Sequence, residues 1–95
     1  MARRRYLVAY DIADPRRLRQ ICKVMESYGQ RLQYSVFICD LSIGEVSGLE
    51  REVIAVMRIE EDSVVRIDLG APDSGAAITF IGRRRPLFGS EPLIV

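Results

Sequence analysis

At 95 residues, with 48% apolar and 28% charged side chains, the chain has the size and composition of one globular domain, and we expect one folded domain rather than a disordered chain. It contains no His and only two Cys, which excludes imidazole catalysis and a His- or thiolate-ligated metal, so that any metal would be a hard cation bound by oxygen. The net charge is only +1, but it is unevenly distributed. Residues 1–40 carry eight basic and four acidic side chains, and residues 83–95 carry three basic and one acidic. Residues 41–82, between them, carry three basic and eight acidic side chains.

The first predicted elements are a strand and a helix. Tyr6 to Ile12 is rich in β-forming residues and almost entirely apolar, as expected of a strand in the middle of a sheet. Asp14 and Pro15 are typical of a helix start, with an N-cap carboxylate and a proline at the first helical position. Apolar residues at helical spacing then lead to a C-terminal stop at Gly29, and they are Leu18, Ile21, Cys22 and Met25.

The next elements are a strand region and a second helix. Leu32 to Cys39 is predicted to form a strand, which either ends there or bends and continues as a second strand through Leu41. Ser42 and Glu45 have capping-box spacing. The apolar stripe of the helix that follows consists of Val46, Leu49, Val53, Val56 and Met57. We expect Glu60 to Asp62 to form a solvated loop.

Two further strands are predicted, a half-exposed one through Val65, Ile67 and Leu69 and another at Ala77 to Ile81. The order of elements predicts an α+β fold, a ferredoxin-like sandwich (βαββαβ) with an extra C-terminal strand. Because one face of such a sheet has no helices, we expect a homodimer. We expect residues 1–82 to form the domain and residues 83–95 a basic tail, extended or disordered. No apolar run approaches the roughly 18 residues of a membrane span, so we expect a soluble, cytoplasmic protein without a membrane partner.

Asp11 is the most informative position for chemistry. Asp is disfavoured in strands, yet this one ends an apolar strand on the face of Leu7 and Ala9. It is either a strand-end turn residue or a ligand of Mg²⁺, which takes one or two protein carboxylates together with waters and phosphate oxygens. One carboxylate per chain is sufficient if a dimer axis brings two copies together.

The arginines are the second candidate group, since thirteen of the fourteen cationic residues are Arg and the guanidinium suits bidentate phosphate contacts. Arg16, Arg17 and Arg19 occupy the first turns of a helix, where cations oppose the helix dipole. They are either a solubilising helix face or contacts to phosphate. Arg3 to Arg5 and Arg83 to Arg85 are expected to add positive charge for nucleic acid.

Several motifs occur in an order that resembles one known family. They are Tyr10-Asp11-Ile12, then Asp14 and an Arg-rich helix, Tyr28-Gly29-Gln30-Arg31, Gln33-Tyr34-Ser35-Val36-Phe37 and Glu61-Asp62-Ser63-Val64. From about residue 5 to 82 the chain resembles the small CRISPR-associated proteins of spacer acquisition, a family named as endoribonucleases whose members are partners of the CRISPR integrase subunit.

The resemblance implies a ferredoxin-like homodimer in which Ala77 to Ile81 packs on the partner's sheet. It implies that Asp11 is the catalytic residue and that two copies bind one Mg²⁺, or Mn²⁺, across the dimer axis, where the metal would polarise a phosphodiester and lower the pKa of a bound water. The resemblance assigns nucleic-acid contacts to Tyr10, Arg16, Arg17, Arg19 and Arg31, and it makes Ser35 and Phe37 residues that line or support the site.

Two functions follow from the resemblance. The first is a metal-dependent endonuclease, acting on single-stranded RNA or double-stranded DNA, that also bridges integrase subunits during spacer acquisition. The alternative is a non-catalytic DNA-binding scaffold of the spacer-integration complex. In either case, Pro86 to Val95 could add an extended segment to the integrase partner by strand pairing.

Overall fold

The computed structural model describes residues Ala2 to Arg83 and contains six regular elements in that part of the chain. These are β1 (Arg4–Asp11), α1 (Pro15–Tyr28), β2 (Gln30–Gln33), β3 (Val36–Leu41), α2 (Ile43–Val56) and β4 (Ser63–Gly70). The predicted tail lies outside the described residues apart from Arg83. Neither of the two helices is long and apolar enough to cross a membrane.

The four strands form one antiparallel sheet in the order β2-β3-β1-β4. β1 lies inside the sheet, between β3 and β4, as its apolar sequence predicts. Both helices pack on one face of the sheet, and α1 and α2 also contact one another. The predicted α+β, ferredoxin-like architecture is therefore confirmed, while the homodimer remains a prediction.

The core lies between the sheet and the helices. Residues of β1 alternate between the two faces, so that Tyr6, Val8 and Tyr10 are buried against the helices while Leu7 and Ala9 face the other way. Ile21 and Met25 of the predicted α1 stripe have no exposed surface. The remaining buried members of this core are Ile12, Phe37, Cys39, Leu41, Val46, Leu49 and Val53. Both predicted helix stripes are confirmed.

The helix boundaries follow the sequence signals. The Asp14 carboxylate accepts hydrogen bonds from the backbone N–H groups of Arg16 and Arg17, each at 3.0 Å. Ser42 and Glu45 form the predicted capping box in both directions. Gly29 ends α1, and a Cβ there would collide with the Cys39 side chain and the backbone of β3. Only glycine allows this close approach of the helix end to the strand.

The strand region between the helices is a hairpin, not one strand ending at Cys39. Tyr34 and Ser35 form the turn between β2 and β3, so the chain turns inside the predicted strand, and the second strand reaches Leu41, as the alternative expected, but begins at Val36. The predicted strand at Ala77 to Ile81 is absent from the sheet of this chain, since residues 75–81 have no regular secondary structure. A strand needs a neighbouring strand to pair with, and the sheet of the described chain consists of β2, β3, β1 and β4.

The outer face of the sheet, opposite the helices, is apolar and partly open. In-register pairs place Leu7, Ile38 and Ile67 in one row across this face, and Ala9, Val36 and Val65 in the next. On the β2 side, residues 78–81 and Arg83 line a half-open cavity of about 350 Å³ together with Leu7, Leu32 and Val36. Towards β4, Val65 and Ile67 remain 49% and 47% exposed.

Candidate functional site

Asp11 lies at the carboxyl end of β1, exposed and on the outer face of the sheet. It shares this face with Leu7 and Ala9, as predicted, and it is in register with Ser63 at the start of β4. On its other side lies the β2–β3 turn, because the backbone N–H of Tyr10 donates to the carbonyl of Ser35 at 3.1 Å. Ser35 thus flanks the end of β1 through its backbone.

The Asp11 carboxylate has no hydrogen-bond or ion-pair partner between Ala2 and Arg83. The two other carboxylates on the sheet are both paired, Asp40 with Arg5 at 2.8 Å and Asp68 with Arg4 at 2.9 Å. Elsewhere in the described chain, the carboxylates without a partner are Glu60 and Asp73, which lie in turns. Asp11 is therefore a rigidly placed charge that the fold itself does not use.

A hard divalent cation suits this position. No group of three or more His, Cys, Asp or Glu residues is arranged to hold a metal within the described part of the chain. Asp11 supplies one anionic oxygen donor per chain, and Mg²⁺ characteristically combines one or two carboxylates with water and phosphate oxygens. The donor chemistry therefore fits a cation held by Asp11 together with groups from outside one chain.

Tyr10 and Phe37, two other predicted site residues, lie on the opposite face from Asp11. Tyr10 is 6% exposed and stacks on Phe37, with ring centroids 6.2 Å apart and an interplanar angle of 27°. Phe37 has no exposed surface. It therefore supports Tyr10 from within the core and does not itself form part of an accessible surface.

Arg19 and Arg31 meet Tyr10 at a small pocket on this helix side. The pocket, of about 100 Å³, lies between α1 and β2. The Arg31 guanidinium lies 5.4 Å from the Phe37 ring centroid and 5.9 Å from that of Tyr34, and its Nη2 contacts the Cys22 thiol. Burial, together with Cys22, raises the pKa of Tyr10 to about 12. The structure thus brings Tyr10, Arg19 and Arg31 together, but not with Asp11.

Arg17 contacts carboxylates of its own chain. Its Nε donates to Asp62 at 2.8 Å, its Nη2 donates to Asp62 and Glu61 at 3.1 Å each, and only 16% of its side chain is exposed. The Asp62 side chain is fully buried and also accepts from the backbone N–H groups of Ala13 and Arg58. These contacts tie the loop after Asp11 to the loop before β4.

The prediction of a solvated loop is therefore wrong for Asp62. Hydrogen bonds from Arg17 and from the two backbone N–H groups hold the pKa of the Asp62 carboxyl well below its usual range. Sequence reasoning missed this residue because two of its three partners, Ala13 and Arg17, lie far away along the chain. The available signal was a single Asp directly before a predicted strand, which does not distinguish a buried acceptor from a turn residue.

The three consecutive arginines near the N-terminus are each neutralised. Arg3 pairs with Glu45 at 2.7 Å, and Arg4 and Arg5 pair with the sheet carboxylates described above. The expectation that this cluster adds positive charge for nucleic acid stays a prediction, and such a contact would compete with these three ion pairs. By contrast, Arg16, Arg19 and Lys23 are exposed along α1 and have no ion pair to any described residue. Their spacing places them near one another on a helix surface, here called the α1 basic stripe.

Comparison with known proteins gives a consistent result. The family model described as CRISPR associated protein Cas2 matches residues 4–76. The "CRISPR-associated endoribonuclease Cas2 1" of Rhodospirillum rubrum is 38% identical over 91 residues, which cover 95% of this chain and 89% of that protein. The crystal structure of a hypothetical protein, TT1823, from Thermus thermophilus superimposes with a TM-score of 0.78 at 27% identity, over 90% of this chain and 98% of that one. The crystal structure of Streptococcus pyogenes Cas2 superimposes with a TM-score of 0.65 at 32% identity, over 70% of this chain and 86% of that one. The chain belongs to the Cas2 family of CRISPR-associated proteins.

Proposed function

We propose that this chain is a metal-dependent endonuclease of CRISPR adaptation that works as a homodimer, with Asp11 of each copy at the catalytic site. The observation that carries the proposal is the exposed Asp11 carboxylate, held at the end of an inner strand without a partner in the described chain. The name of the Rhodospirillum rubrum relative, an endoribonuclease, supports phosphodiester hydrolysis as the reaction. The substrates proposed are single-stranded RNA and double-stranded DNA.

The outer face of the sheet supports the proposed dimer. Val65 and Ile67 are half exposed there, although they are large apolar residues next to an apolar row. Asp11 lies on the same face. A second copy that covers this face would bring two Asp11 carboxylates into one interface, and residues 77–81 could then pair with the partner's sheet.

The roles of the chain's own residues follow from their positions. When bound by Asp11 from both copies, Mg²⁺ or Mn²⁺ would neutralise phosphate charge and activate water. Arg16 and Arg19 would neutralise neighbouring phosphates from the α1 basic stripe. Arg17, through Asp62, holds the loop that follows Asp11. Ser35 holds the end of β1 from the other side.

The proposal is tested with Asp11→Asn, using labelled single-stranded RNA and duplex DNA in Mg²⁺, in Mn²⁺ and with chelator. Because Asp11 makes no contact that stabilises the described chain, we expect a loss of cleavage of at least about 100-fold, on the scale of other transition-state charge contacts, with an unchanged Tm. Asp73→Asn, which removes an unpaired carboxylate from a turn, is the matched control and should cleave normally. Undiminished cleavage by purified Asp11→Asn protein would refute the catalytic assignment.

The alternative is a non-catalytic DNA-binding scaffold that joins integrase subunits. The α1 basic stripe favours it, because these exposed cations could bind phosphates without any contribution from Asp11. Under this alternative, neither wild type nor Asp11→Asn cleaves, and both bind duplex DNA. Arg19→Gln should then reduce the slope of log affinity against log salt by about one. Deletion of residues 86–95 tests the proposed docking segment, since unchanged binding to the integrase subunit would argue against it.

A further inference from the structure

Ser63 is the residue beside Asp11 on the outer face of the sheet. It begins β4 and is paired in register with Asp11, the last residue of β1. Its neighbour Val64 packs against the core, so that Ser63 points to the outer face, because successive residues of a strand alternate between the two faces. Directly paired residues of antiparallel strands have Cβ atoms about 4.5–5.5 Å apart. The Ser63 hydroxyl and the Asp11 carboxylate are therefore neighbours on one face.

The fold itself uses neither of these two polar groups. Both residues are exposed, and the Ser63 hydroxyl, like the Asp11 carboxylate, has no hydrogen-bond partner in the part of the chain that the structure describes. The next pair along this face, Ala9 with Val65, is apolar. One carboxylate and one hydroxyl thus form a small polar site at the end of an apolar face.

The buried Asp62 fixes the spacing of the pair. It directly precedes Ser63, and its carboxylate accepts a hydrogen bond at 2.9 Å from the backbone N–H of Ala13, two residues after Asp11. The same carboxylate accepts from the Arg17 Nε at 2.8 Å, and the Asp62 side chain is fully buried. These contacts join the two strand ends that carry the carboxylate and the hydroxyl. Oriented, supported ligands are what a metal site requires.

We propose that the Ser63 hydroxyl is a second oxygen donor, beside Asp11, for the divalent cation of the proposed nuclease. Ser and Thr hydroxyl groups bind Mg²⁺ in the phosphate-binding loops of nucleotide hydrolases, so this donor type is suitable. Each copy would then supply one anionic and one neutral oxygen, and water and phosphate oxygens would complete the coordination. The inference rests on the proposed function for the cation, whereas the role of Ser63 is tested separately.

Mn²⁺ alone is the probe, titrated into the full-length protein without nucleic acid while the EPR signal of the free ion is recorded. Ser63→Ala removes only an exposed hydroxyl, so it should leave the Tm unchanged and weaken Mn²⁺ binding about tenfold, on the scale of other changes around metal sites. Ser63→Thr keeps the hydroxyl and suits a strand, so it should bind Mn²⁺ as wild type does. Ser47→Ala, at an exposed position of α2, is the matched control and should also bind normally.

A cysteine variant separates direct binding from a merely structural effect. Ser63→Cys replaces the hydroxyl with a thiol, a softer donor that Zn²⁺ prefers. It should therefore bind Zn²⁺ at least about tenfold more tightly than wild type, whereas Ser47→Cys should not. A residue that only supports the strand does not produce this gain.

Two results would overturn the proposal. One is wild-type Mn²⁺ affinity in Ser63→Ala, and the other is equal Zn²⁺ affinity in Ser63→Cys and Ser47→Cys. Asp11→Asn distinguishes this failure from failure of the proposed function. If Asp11→Asn loses Mn²⁺ binding while Ser63→Ala retains it, only the role of Ser63 is wrong. If Asp11→Asn binds Mn²⁺ as wild type does, or wild type binds none, the proposed metal site at Asp11 is wrong as well.

Discussion

Phe37 provides a sharp test of how the site is built, because the family resemblance makes it a site residue and the structure buries it completely. It has no exposed surface, and its ring stacks on Tyr10 at a centroid separation of 6.2 Å. Phe37 therefore acts through packing. Its replacement should then reduce stability first and affect cleavage only to the extent that folding or the position of Tyr10 is disturbed.

The expected loss of stability in Phe37 variants follows from this burial. Phe37→Ala should lower the free energy of unfolding by about 3–5 kcal/mol, because it loses both transfer energy and packing around a cavity. For a domain of this size, each kcal/mol lowers the Tm by roughly 4–8 °C. Phe37→Leu keeps most of the apolar volume and should cost only about 1–2 kcal/mol. With a typical total stability of about 5–15 kcal/mol, the Leu variant remains folded at room temperature.

The assay combines urea unfolding at one fixed protein concentration with cleavage measured per folded molecule. Phe37→Leu should retain cleavage within a few-fold of wild type, since it does not remove a group that touches substrate. Asp11→Asn serves as the opposite control, with normal stability and no cleavage. The reasoning is refuted if Phe37→Ala unfolds at the wild-type urea concentration, or if Phe37→Leu is stable and yet as inactive as Asp11→Asn.

Two other contacts lead to measurable expectations. Arg17 and the backbone donors hold the pKa of Asp62 low. The contribution of the Asp62 carboxylate to the free energy of unfolding is therefore complete above the unfolded-state pKa of about 3.9, and it is lost as the pH falls through the folded-state pKa. The difference in urea midpoint between wild type and Asp62→Asn should therefore be constant from about pH 5 to 7 and shrink only below about pH 4, and a difference that disappears at pH 6 would contradict this. On the outer face, Ile67→Arg should convert the proposed dimer to monomer in sedimentation experiments, whereas Ile54→Arg, on the exposed side of α2, should not. A monomeric wild type, or dissociation by both variants, would rule out this dimer surface.

Short-range signals in the sequence were sufficient for most of the elements. Asp14 and Pro15 marked the start of α1, Ser42 and Glu45 that of α2, and the structure has both caps as predicted. The face of Asp11 was also predictable, because side chains alternate strictly along a strand. The hairpin turn at Tyr34 and Ser35 was not predicted, since neither Gly nor Asn-Gly marks it and the alternating pattern continues through it.

The partners of the charged residues could not be predicted from the sequence. Arg17 and Arg19 are two residues apart in one helix, yet the structure pairs Arg17 with Asp62 and leaves Arg19 at the rim of the pocket. Helix geometry turns such neighbours by about 200° relative to each other, and the elements packed around the helix then determine what each one meets. The same holds for Arg3 to Arg5, whose carboxylate partners lie on three different elements.

The sequence by itself thus determined the elements, their buried faces and the exposed carboxylate at the end of β1, because all of these depend on spacing over a few residues. Only the tertiary structure decided which arginines are neutralised, that Asp62 is buried, and that Tyr10, Arg19 and Arg31 surround one pocket apart from Asp11. These features depend on contacts between residues that are distant along the chain. Such contacts arise only when the sheet and helices pack, and no local pattern of residue types specifies them.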